Sequence, residues 1–312
     1  MVWGCARTQT ILKAIFDEYK DCVPKKKGKG RYGYSYHSIL NAFVLMLLRG
    51  IRSEEGLVEY LNEHIDEAKL CGFTKNIPHR TTLGRFRKRL GPEFIENVHS
   101  KMLSMKNIDV THLLADSTSL EKKHDKEAKV GYSTTKGLYK GFKAHIASDA
   151  DMRIPLSLAV TPANRHDGPF LPHLIGKVFT MDCRPIYAIT DAGYDSEKNH
   201  KMLNKYGILP VIPLNKRNLK SGRTEKFWSM RLNPEVERDS KLYRKLQSKR
   251  FAAEEVNSAL KQLINTQRLY VNGLRNVSFY VYLASLVIAT FYFASANCSE
   301  IDSPWKVCCL RY

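Results

Sequence analysis

The chain has 312 residues, enough for one large domain or two ordinary ones with an ample core, and 43% of them are hydrophobic, which excludes a disordered polyelectrolyte. Its 50 Lys and Arg against 31 Asp and Glu give a net charge of +19, spread along the sequence rather than held in a tail, and this points to a polyanion such as nucleic acid. The seven cysteines, odd in number and without a Cys-x-x-Cys pair, exclude a zinc cluster and read as reduced thiols of an intracellular protein; MVWGCARTQT lacks the apolar core of a secretory signal.

Residues 1–107 read as an all-helical region. Thr8 to Tyr19 has helical spacing, and Lys25 to Arg31 (KKKGKGR) is a flexible basic linker. Ser38 to Leu48 is a strongly apolar helix, and Ser53 starts another that carries Glu55 and Glu59. Thr81 or Thr82 caps a third, in which Arg85, Arg87, Lys88 and Arg89 lie among Leu83, Phe86 and Leu90. That spacing suits a helix-turn-helix-like reader of DNA and a solvated cationic face equally well.

After Ile108 short apolar runs alternate with turns, at 112–116, 142–148, 154–161, 186–191 and 208–214, with helical material at 168–178 and 195–206. The order predicts an α/β domain over 108–297 with a mixed five-stranded sheet, its first three strands an antiparallel meander, flanked by helices. Residues 215–245 read as a basic loop or small insertion with Lys216, Arg217, Lys220, Arg223, Lys226 and Arg231; tracking a phosphate backbone and plain linking both fit. Arg250 to Thr266 is a helix with Ala252, Ala253, Val256, Leu260 and Leu263 on one face and Arg250, Glu254, Asn257 and Lys261 on the other. Val277 to Ala296 is uncharged and long enough to span a bilayer, but its three tyrosines and its isolation favour a buried C-terminal helix, and no membrane partner is expected. Residues 298–312 form a tail.

The stretch IYAITDAGYDS, Ile186 to Ser196, carries the chemistry. A strand runs into Asp191, Gly193 breaks it, and Asp195 and Ser196 offer a helix N-cap. Asp116 follows the apolar run His112 to Ala115 in the same manner. Strand ends are where α/β folds present reactive groups. Two strand-end aspartates and a helical Glu254 suit two Mg²⁺ ions, which prefer oxygen ligands and drive in-line displacement at phosphorus. A His/Asp metal hydrolase built on His145, His166, Asp167 and Asp191 lacks the expected helical spacing.

LLADSTSL, GFKAHIASDADMRIPLSLAVTPANRHDG, AITDAGYDS, and R-x-x-x-E-x-x-x-x-x-x-K followed by GLRNV occur in this order over about residues 35–297. Together they resemble a DDE transposase of a prokaryotic insertion sequence, in the IS-four-like group with a Tyr-Arg-Glu-Lys signature. The resemblance implies an RNase H-like core and a metal-binding catalytic triad of Asp116, Asp191 and Glu254, with two Mg²⁺ ions for which Mn²⁺ can substitute. Glu254 rather than Glu255 follows from Arg250 four residues before it and Lys261 seven after it; those two cations would touch element-end phosphates. The signature tyrosine falls at 247, where this chain has Gln247, with Tyr243 nearby. Lys143 resembles a DNA-contacting position, and Asn164, His166 and Asp167 resemble accessory positions. The short run from Asp191 to Glu254 implies that the β-strand insertion of some relatives is absent. The implied partner is double-stranded DNA, both element ends and target, bound by a homodimer in a cytoplasmic, nucleoid-associated setting. An RNase H-like nuclease that cuts without joining, or a decayed DNA-binding transposase, are the alternatives.

Overall fold

The computed structural model describes residues 5–25, 33–133, 137–215, 229–265 and 271–305. In chain order these form α1 (Cys5–Glu18), α2 (Tyr36–Leu48), α3 (Glu54–Glu63), α4 (Ile65–Leu70), α5 (Arg80–Met105), β1 (His112–Glu121), β2 (Lys129–Ser133), β3 (Gly137–Asp149), β4 (Pro155–Pro162), α6 (Leu171–Phe179), β5 (Tyr187–Thr190), α7 (Glu197–Lys205), β6 (Leu209–Val211), α8 (Lys241–Ser248), α9 (Phe251–Ile264) and α10 (Leu274–Asn297). The backbone divides into two units. One comprises residues 1–105, 121–128 and 259–312, the other 106–120 and 129–258.

The first unit is helical. Ser35 caps α2 by accepting from the Ser38 N–H at 2.9 Å, and an almost wholly apolar helix follows, buried from Ser38 to Leu48. Ser53 caps α3 in the same way through Gly56. Helix α5 bends where Gly91 takes a φ of 65° ahead of Pro92, which has no N–H to donate. The positive φ favours glycine at 91; a side chain there would also displace the flexible Arg275 and Glu93 side chains. Helix α10 packs on α5, α1 and α2. Phe43 meets Phe279 at 5.2 Å edge-on and stacks 6.0 Å from Phe86. Of the most apolar 18-residue window in α10, 89% is buried inside the fold, which makes it a core helix, as its tyrosines suggest.

The second unit is built on a sheet with the order β2-β3-β1-β5-β6, with β4 also pairing β3. β3 pairs antiparallel with β2 over its first residues and with β4 over Phe142–Ser148; β1, β5 and β6 run parallel. Five strands coincide with the apolar runs of the sequence, and β2 is a sixth. β2 is only five residues long and its two apolar residues, Val130 and Tyr132, are exposed while Gly131 is buried, so its short alternation does not mark a buried face. β6 has only three residues, with Pro210 in the middle, and ends the sheet. Leu114, Ile189 and Val211 on the strands pack against Tyr243, Leu246, Ala252 and Ala253 of α8 and α9. Helix α6 packs on β3 and β4 through Leu171, Leu174, Ile175 and Val178.

Candidate active site

The register of two parallel strands makes the site. β1 pairs with β5 so that Ala115 lies opposite Thr190. The next residue on each strand is an aspartate, so Asp116 and Asp191 stand side by side on strands about 4.8 Å apart. Neither carboxylate is balanced. Burial pushes Asp116 up to about 6, and the nearby Asp191 and Asp167 charges add to this, against the Ser117 N–H and Arg250. Burial also raises Asp191; Gly193 N–H, Arg250 and Lys143 oppose it, while Asp167 reinforces it. Asp191 Oδ1 accepts from that Gly193 N–H at 2.8 Å, which fixes the turn after β5.

Helix α9 supplies the opposite wall. Asn257 Nδ2 donates to Asp116 Oδ2 at 2.8 Å. Arg250 precedes the helix and its charge reaches both aspartates. Glu254 lies between these two on the same face and is exposed in the first turn. Glu255 points elsewhere: Arg153 Nη1 holds its carboxylate at 3.0 Å. Among the described residues no group of three or more His, Cys, Asp or Glu is close enough to hold a metal ion, so Asp116 and Asp191 form a pair and Glu254 is not gathered with them. Lys261 is exposed in the last turn of α9.

A second cluster adjoins the pair. Asp167 follows β4 and accepts from Lys143 Nζ at 3.0 Å, with His145 Nδ1 at 3.3 Å. Burial alone would raise Asp167, but His145 and Lys143 outweigh it and hold the carboxyl below its usual range. Lys143 also donates to the Arg165 carbonyl at 3.1 Å, so its ammonium is engaged within the fold. His145 is fully buried, 3.0 Å from Thr161 Oγ1 and stacked on Phe170. Asn164 and His166 are exposed on the loop after β4. Tyr194 is buried beside Asp167, Asp116 and Asp191, and its hydroxyl has no hydrogen-bond partner among the described residues. Sequence reasoning misses Tyr194, because a tyrosine after a Gly turn gives no sign of which way it points. The Asn257 contact is half visible as a place on a polar helical stripe.

Two arginines fall differently from the sequence reading. Arg85 and Lys88 are exposed on α5, but Arg87 is buried, held by Glu54 at 2.6 Å and by the Asn276 side-chain oxygen Oδ1. A cleft of about 460 Å³ lies along this part of α5, lined by Arg80, Arg85 and Lys88 with Glu54 and Glu55. Arg231 is also buried, bound to Asp195 at 2.8 Å, so it is not free to follow a phosphate backbone. Lys216, Arg217, Lys220, Arg223 and Lys226 lie outside the described residues, as do most of the 25–31 linker and Cys308 with Cys309.

Residues 109–290 match the family described as Transposase DDE domain, and residues 8–89 match the Transposase domain (DUF772). The chain belongs to the DDE transposase family. It is a DNA transposase, an enzyme, and its second unit carries a mixed sheet with flanking helices. No curated protein matches it. Among solved structures, the cryo-EM structure of a piggyBac transposase synaptic complex with hairpin DNA superposes with a TM-score of 0.47 at 11% identity, over 98% of this chain and 76% of that one. DDE transposases generally use divalent metal ions, and the side-by-side Asp116 and Asp191 supply two of the oxygen donors such an ion takes. Burial raises both half-buried carboxylates, which also repel each other, and the buried Tyr194 hydroxyl beside them has no partner among the described residues.

Proposed function

We propose that this transposase binds the terminal inverted repeats of its own prokaryotic insertion sequence, cuts at the ends and joins the freed 3′-hydroxyls to target DNA. The observation that carries the reading is the β1–β5 register, which sets Asp116 beside Asp191, together with the α9 face that brings Asn257 to Asp116. Asp116, Asp191 and Glu254 would hold two Mg²⁺ ions, with Mn²⁺ as a substitute. Cations bound there supply Lewis-acid activation of a water or 3′-hydroxyl and neutralise the leaving oxygen. The chain's own residues orient that chemistry. Asn257 fixes one Asp116 oxygen, Gly193 N–H fixes one Asp191 oxygen, and Arg250 offsets their charge and meets a DNA phosphate. Glu254, exposed on the same helix between Arg250 and Asn257, would supply the third carboxylate.

The exposed Arg85 and Lys88 on α5 suit recognition of element ends, and Lys261 suits a backbone contact. Pairing of two ends requires two copies, so a homodimer on DNA is the working unit, in the cytoplasm beside the nucleoid. The test is cleavage of element-end DNA in Mg²⁺ or Mn²⁺. Asp191→Asn and Glu254→Gln are expected to cut on the order of 10³-fold more slowly, and Glu255→Gln within a few-fold of wild type. Full cutting by Glu254→Gln with loss in Glu255→Gln would move the third acid. Cut ends without strand-transfer products would leave a nuclease, and tight DNA binding without turnover would leave a decayed transposase.

A further inference from the structure

The parallel ladder of β5 and β6 ends with Ile189 opposite Val211. One residue later β5 gives way to Asp191. The side-chain amide of Gln247, in the last turn of α8, reaches both strand ends: Nε2 donates to the Val211 carbonyl at 2.8 Å and lies 3.5 Å from the Thr190 carbonyl. The Thr190 carbonyl belongs to the peptide unit that also contains the Asp191 nitrogen, so anything that holds it sets the Asp191 Cα.

The helix that delivers Gln247 is itself fixed. Ser240 caps α8 by accepting from Tyr243 N–H at 3.0 Å. Tyr243 and Leu246 are buried against Ile189 and Val211, and the Tyr243 hydroxyl also meets Gln247. An amide one turn from two core anchors and aimed at two main-chain acceptors has little rotamer freedom left. Gln247 is half-buried and turned toward the sheet.

We infer that Gln247 is a positioning residue for Asp191, acting through the Thr190–Asp191 peptide and the end of β6, and that position 247 in this chain does not contact DNA. The inference rests on the metal-dependent reading of Asp191 above. It is tested with Gln247→Met, which keeps length and removes the donor, and Gln247→Glu, which keeps shape and turns an acceptor toward two carbonyls. Three quantities are measured beside wild type: Mn²⁺ affinity of the DNA-free protein, affinity for end DNA, and single-turnover cutting. Outer partners of metal ligands typically change metal affinity or rate by about tenfold or more, so both variants are expected to bind Mn²⁺ and cut about tenfold more weakly. Their affinity for end DNA is expected to stay within about twofold of wild type. Wild-type Mn²⁺ affinity and cutting in both folded variants overturns the inference, and so does a loss of DNA affinity with cutting intact. If both variants unfold at the assay temperature, the contact is structural only and the inference also falls. A wild-type protein that binds no Mn²⁺ and cuts nothing would instead overturn the proposed function itself.

Discussion

Asp191 and Asp195 stand four residues apart on one turn and have opposite fates. Asp195 is fully buried, yet Arg231 Nε lies at 2.8 Å, His200 Nε2 at 3.4 Å and Arg238 at 3.9 Å, and the Asn215 N–H donates at 2.8 Å. Burial would raise it, but these partners outweigh burial and hold it below its usual range. Asp191 has one backbone donor, a neighbouring aspartate and a raised carboxyl. A buried acid whose cations touch it is architecture; Asp191, which Arg250 and Lys143 reach only as nearby charges that do not offset its burial, is a candidate for a ligand from outside. Arg231 and Asn215 also bond each other, Nη2 to carbonyl at 3.2 Å, so Asp195 ties together two stretches far apart in sequence.

The comparison is open to direct attack. The largest effect is expected at Asp116, where Asp116→Asn should slow cutting by about 10³-fold while the metal-free protein becomes more stable. A carboxyl moved from 3.8 to about 6 opposes folding by about 3 kcal/mol at pH 7, and the amide removes that cost. Urea unfolding in EDTA measures it; a destabilised Asp116→Asn would mean the acid is architectural after all. Next, Asp195→Asn should lower stability by about 3–5 kcal/mol, because Arg231 stays buried without its counterion.

A pH series separates the two kinds of acid. The folded state holds the Asp116 proton more tightly than the unfolded chain does, so its contribution is favourable below pH 3.8 and is lost as pH rises through about 6. Wild type relative to Asp116→Asn should therefore gain stability between pH 7 and 4. Asp195 has the opposite sign: its contribution is present above 3.8 and is lost as pH falls through its lower folded value. Parallel curves for wild type and Asp116→Asn would break the distinction.

The smallest effect carries the same contrast into α5. Arg85→Ala with Lys88→Ala should flatten the dependence of log affinity for end DNA on log salt by about 0.9 for each phosphate that goes unneutralised. Arg87→Ala should instead cost stability, since it strands Glu54, and should leave the salt slope unchanged. Fluorescence anisotropy across a salt series distinguishes them.

What a local pattern can reveal follows the same division. Five strands, the helices flanking them and the strand-end place of Asp191 are legible in the sequence, because apolar runs and a Gly-broken turn leave local patterns; Asp116 also reads as a strand end, but β1 runs on to Glu121 and leaves it mid-strand. The Gly91-Pro92 break is legible as well: Gly91 is non-helical and parts α5 into two helical segments, as that pair of residues normally does. Of the two helix caps that the sequence offers, Asp195 and Ser196, Ser196 is the one used, accepting from Asn199 N–H at 3.2 Å. Arg87 and Arg231 read as surface cations. Whether a charge is spent internally depends on a partner dozens of residues away, and no local pattern records it. The pairing of Asp116 with Asp191 depends on a strand register that only the folded sheet specifies.

The outermost strand, β6, has a consequence of its own. A border three residues long, with one donor deleted at Pro210 and the Val211 carbonyl already occupied by Gln247, is a poor template for another chain. Addition of a strand from a second chain is therefore disfavoured at this border of the sheet, a restriction that the opposite border, formed by β2 and β4, does not share.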